Sequence, residues 1–134
     1  MVKNFSRCLP ALLLALAVPM VAQAADSSAA VSKQVSTAAA HAGMAMGAAD
    51  LKMVRTHLHH VVNCLQGSAG AGFDAKAGNP CKGQGNGAIV DAKGDAATEA
   101  KLHTALTQAE AGLKAETVDA AHADAKKAMD TLQG

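Results

Sequence analysis

Between Leu51 and Leu65, apolar residues fall at Leu51, Val54, Leu58, Val61, Val62 and Leu65, the three-and-four spacing that gathers on one helix face. Upstream, Val31, Val35, Ala38, Ala42 and Ala45 repeat that spacing. Gly47 interrupts the pattern and Ala49-Asp50 supplies a helix cap, so the predicted helices cover about 28–46 and about 50–66. The pattern then stops: residues 67 to 87 hold seven glycines plus Asn79-Pro80, a composition that breaks helix and strand alike. Helical character returns after Asp91, over about 95–113 and about 117–132, with a turn near Ala115.

Two αα-hairpins joined by a long crossover predict an all-α fold, an antiparallel four-helix bundle with the Gly-rich segment 67–94 as its crossover loop. A structureless loop of that length is unusual in a small domain unless something pins it. The Asn79-to-Gly87 stretch follows no strand and lacks a Gly-Lys-Ser/Thr ending, so it is not a phosphate loop.

The apolar run from Leu9 to Val18 follows a different logic. With Lys3 and Arg7 before it and Ala22-Gln23-Ala24 after it, residues 1–24 read as a signal peptide cleaved before Ala25. The run is too short to span a bilayer and no second one follows, which predicts a periplasmic or secreted protein with no membrane contact after cleavage. Residues 25–134 then form one helical domain. Cys8 lies before the apolar run rather than at its end, unlike a lipoprotein anchor.

Composition narrows the function classes. The 12 Lys+Arg fall to 10 without Lys3 and Arg7, against 11 Asp+Glu, so no basic surface is predicted for nucleic acid. With Phe73 as the one aromatic of residues 25–134, the core must come from close approach of small residues. Cys64 and Cys81 are the two cysteines of that segment, and in an oxidising compartment they read as a disulfide. Closing a loop of that size is worth about 3 kcal/mol on the chain-entropy estimate, and it pins the crossover. With both cysteines so used, and no Gly-x-Ser-x-Gly elbow, no enzyme is expected.

The remaining chemistry lies in His57-Leu58-His59-His60. On a helix, His57 and His60 share a stripe with Met53 and Cys64 beside the core, while His59 falls with Asn63 toward solvent. Neutral imidazole suits zinc, copper and nickel, but two ligands leave a site incomplete. His41 and Met44 flank the core side of the first helix, and His122 sits near the core side of the last, so these are the candidates to complete it. In an antiparallel hairpin His41 is expected beside Asp50 to Val54, with His57 and His60 one to two turns further along. Thioether and imidazole together favour copper. Asp119 and His122 alone do not make a di-iron motif, and His103 pairs with Glu99 on a solvated face.

Ala40-His41-Ala42, Asp50, His57-Leu58-His59-His60 and Ala121-His122-Ala123 give the chain a diffuse likeness to small periplasmic histidine-bearing four-helix-bundle metal-binding proteins, which it resembles in its helical parts. That resemblance implies metal binding and not high capacity, since those proteins carry more histidines. The expectation is therefore an exported protein that sequesters or delivers a late first-row metal, copper preferred, through His57 and His60 with His41, Met44 or His122. Two alternatives stand beside it: a non-catalytic interaction or stress-related protein that presents its pinned loop to an unidentified protein partner, and a b-type haem-binding bundle with His or Met axial ligands. A covalent haem is excluded by the lack of Cys-x-x-Cys-His.

Overall fold

The computed structural model describes the backbone of residues 21–134 and the side chains from residue 27 onward. The predicted leader falls outside the described residues except for its last four, which lie within the first helix. Five helices form: α1 (Val21–Gly47), α2 (Leu51–Gln66), α3 (Ala88–Asp91), α4 (Ala96–Lys114) and α5 (Val118–Gln133). The described residues contain no strand, and none of their helices is long and apolar enough to cross a membrane.

Short polar side chains set the helix starts. Asp50 accepts a hydrogen bond from the Met53 N–H at 2.8 Å, Asp95 from the Thr98 N–H at 3.2 Å and Thr117 from the Ala120 N–H at 3.2 Å. Each satisfies a donor that a helix start leaves without an intrahelical acceptor, worth about 1 kcal/mol. α1 starts earlier than the predicted residue 28, because Val21 to Asp26 contains neither glycine nor proline to stop it.

α1 packs on α2 and α5, and α4 packs on α5 and α2, so the four long helices close a ring around one core. Leu58, Val61, Val62 and Leu65 enter it from α2, Leu102 from α4, and fully buried alanines from α1, α4 and α5 let the backbones approach. Gly112 shows how tight the approach is: a Cβ there would lie 2.6 Å from the buried Leu58 Cδ1. A residue that usually weakens a helix interior by about 1 kcal/mol is here the one that fits between α2 and α4.

The crossover is an ordered layer against α2. Cys64 and Cys81 are bonded, with Cα atoms 5.2 Å apart. Asn63, expected near solvent, is completely buried beneath this loop. Its Nδ2 donates to the carbonyls of Asp74 (2.8 Å) and Gly78 (2.6 Å), and its Oδ1 accepts from the Asp74 N–H at 2.8 Å. The helical wheel misplaced Asn63 because it knows nothing of a cover supplied from outside the helices.

A second buried amide anchors the far end of the loop. Gln34 of α1, 1% exposed, donates to Ala30 O and Asp91 Oδ2 and accepts from the Gly87 N–H at 2.8 Å. Asp91 also accepts from the backbone and side chain of Asn86, which fixes the one-turn helix α3 inside the segment read as loop. Burial pushes the Asp91 carboxyl up, but these hydrogen bonds outweigh it and hold the group below its ordinary value.

Candidate metal centre

Gly47 ends α1 and Asp50 caps α2, so the chain reverses about Ala49. His41 and His57 each lie eight residues from Ala49, and in an antiparallel hairpin positions equidistant from the turn face one another. His60 follows His57 by three residues and stays on its face. The expected offset between His41 and the pair is therefore absent. Symmetry about the turn was the signal that would have placed all three together.

The three imidazoles converge through one kind of atom. His41 Nδ1 is 3.3 Å from His57 Nδ1 and 3.2 Å from His60 Nδ1. The ring centroids are 5.5, 4.5 and 5.8 Å apart for the pairs 41–57, 41–60 and 57–60. Donor nitrogens around a tetrahedral ion with metal–nitrogen bonds of about 2.0–2.1 Å stand about 3.3 Å apart. The separations from His41 match that value, and one donor atom from each ring falls within a 4.8 Å group able to hold a metal ion.

The protons of the site are constrained by the loop. His60 Nε2 lies 2.6 Å from the carbonyl oxygen of Ala77. A carbonyl only accepts, so the ring carries a proton on Nε2, and in the neutral ring the Nδ1 lone pair faces His41 Nδ1. This outer hydrogen bond is the arrangement that orients a ligating histidine and raises its basicity. Asn63, one turn beyond His59, holds the loop that brings Ala77 there.

Electrostatics disfavour an extra proton among the rings. Burial, then the neighbouring His60 and His57, lower the His41 pKa from 6.5 to about 4. Burial, then His60, also lower that of His57. A proton on His41 Nδ1 can serve only one of its two close contacts well. A cation bound to all three lone pairs satisfies every one of them.

All three rings are half-buried, so the centre opens to solvent on one side. Of the other sequence candidates, His122 is engaged elsewhere, and Met44 stands three residues along α1 from His41. His122 places Nε2 2.9 Å from the carbonyl of Ala48 and so ties α5 to the α1–α2 turn. Met44 is 50% exposed, as is Met53 at 47%, one on each helix of the hairpin. His59 stands 3.7 Å from Asp74 on the other side of α2, and His103 is exposed on α4.

No protein-family model matches the sequence, and comparisons with curated proteins and with solved structures likewise found no match.

Proposed function

We propose that this chain is an exported, antiparallel four-helix bundle that sequesters or delivers a late first-row transition metal, copper by preference, at His41, His57 and His60. The observation that carries the reading is the convergence of three Nδ1 atoms with the His60 proton held on the opposite nitrogen. Copper is favoured over zinc or nickel by the exposed thioethers of Met44 and Met53, three residues after His41 and four before His57. They supply soft donors for an ion entering or leaving the open side.

A metal ion is a better occupant than haem. Axial haem ligands bind iron from opposite faces of a porphyrin plane, whereas these three nitrogens crowd within one 4.8 Å group. The inner side of the loop is committed to Asn63 and His60, so the loop-presenting alternative has only the outer side of the loop to offer a partner.

The test is metal analysis of the tag-free protein, purified from the compartment to which it is exported, followed by competition titration with copper, zinc and nickel. One ion per chain is expected. His41→Ala, His57→Ala and His60→Ala should each weaken binding by more than the roughly 10–100-fold typical of an outer-shell loss. His59→Ala and His103→Ala should not. Lack of micromolar uptake of all three metals, or equal loss in the control variants, sinks the proposal.

A further inference from the structure

Resting on this metal-binding reading, we infer that the Cys64–Cys81 disulfide controls the site, with its reduction by an external dithiol releasing the bound ion. The connection runs through a short series of contacts. Cys64 lies one helical turn beyond His60, and Cys81 lies four residues beyond Ala77, whose carbonyl fixes the His60 proton. Between them Asn63 makes three hydrogen bonds to the backbone of Asp74 and Gly78. Bridge and amide together hold a glycine-rich segment that has no helix or strand of its own between 67 and 87.

The step is a thiol–disulfide exchange that follows opening of the Gly-rich segment, since Cys64 and Cys81 are both buried in the closed state. The dithiol gives two electrons and two protons, its own sulfurs join in a cyclic disulfide, and the Cys64–Cys81 bond opens to two thiols. The segment before Cys81 then loses its covalent end. Only the Asn63 hydrogen bonds then hold the loop on either side of Ala77. When they open and Ala77 leaves, water replaces its carbonyl, the His60 proton distributes over both nitrogens, and the ring turns more freely. The outer contact that prepared Nδ1 is gone, while the helices carrying the ligands remain.

The experiment compares zinc affinity of the oxidised protein with that of protein reduced by a dithiol, alkylated and freed of reductant. Zinc is the probe because it has no redox chemistry to confuse the comparison. Binding about 10–100-fold weaker after reduction is expected, with helical circular dichroism retained and nitrogen-15 shifts of His60 moving from one tautomer to a mixture. Equal or tighter binding after reduction overturns the inference. Should the reduced, alkylated chain unfold, Cys64→Ala/Cys81→Ala decides instead, because it removes the bridge without adding adducts to two buried positions. Weakened zinc binding in the folded double variant supports the inference; unchanged affinity, or a double variant that does not fold, overturns it. Absence of zinc binding by the oxidised wild type is the separate result that removes the metal site itself.

Discussion

Burial and the two neighbouring imidazoles weigh against a proton on His41, and this equilibrium gives the metal-free protein a defined acid sensitivity. The unfolded chain takes up this proton near 6.5 and the folded chain only near 4. Between those values the unfolded state binds more protons, so stability falls as the pH drops through that window and levels off below it. His57, also lowered, adds in the same direction. Urea midpoints of the metal-free protein at pH 7, 5.5 and 4.5 should decrease in that order, and His41→Asn should flatten the trend. A midpoint that rises toward pH 4.5 contradicts the assignment. Asp91 acts at a lower pH: its depressed value contributes stability above the ordinary carboxylate range, lost as the pH falls through the folded value.

At the scale of elements, the crossover shows where glycine is required. Gly67 has φ +72°, and a Cβ there would run into the backbone of Asn86, so the end of α2 and the start of α3 touch main chain to main chain. Gly83 has a similar φ of +80° but nothing within 4 Å of a Cβ. Gly83→Ala should therefore cost only backbone strain, about 1–3 kcal/mol, whereas Gly67→Ala should cost clearly more. Equal urea midpoints for the two variants would contradict the backbone contact. The long helices were legible because caps and apolar spacing are local: Asp50, Asp95 and Thr117 announce their starts in the sequence. The disulfide was legible from the cysteine count together with the compartment expected from the sequence. α3 and the burial of Asn63 were not, because both depend on partners far along the chain, Gln34 for α3 and Asp74 with Gly78 for Asn63. The His57–His60 pair could be read from one helix, but its meeting with His41 required the register of two.

At the scale of the molecule, an ion that binds only the folded chain stabilises the whole ring of helices. At free zinc one hundred times the dissociation constant the gain is about 2.7 kcal/mol. For a domain near 100 residues, each kcal/mol raises the melting temperature by about 4–8 °C. Thermal scans should show that rise with zinc and lose it on adding a chelator or in His60→Ala; a rise that persists in His60→Ala points to binding elsewhere. The α1–α2 turn has a further consequence, in time rather than in space. His41 is only 16 residues from His57 and 19 from His60, while packing of α1 on α5 joins distant parts of the chain. Contacts so local close early, because little chain entropy is lost in bringing them together. The three imidazoles can meet before α4 and α5 have docked, which makes the hairpin a place where an ion can seed folding. An ion held there would speed refolding and leave the unfolding rate little changed.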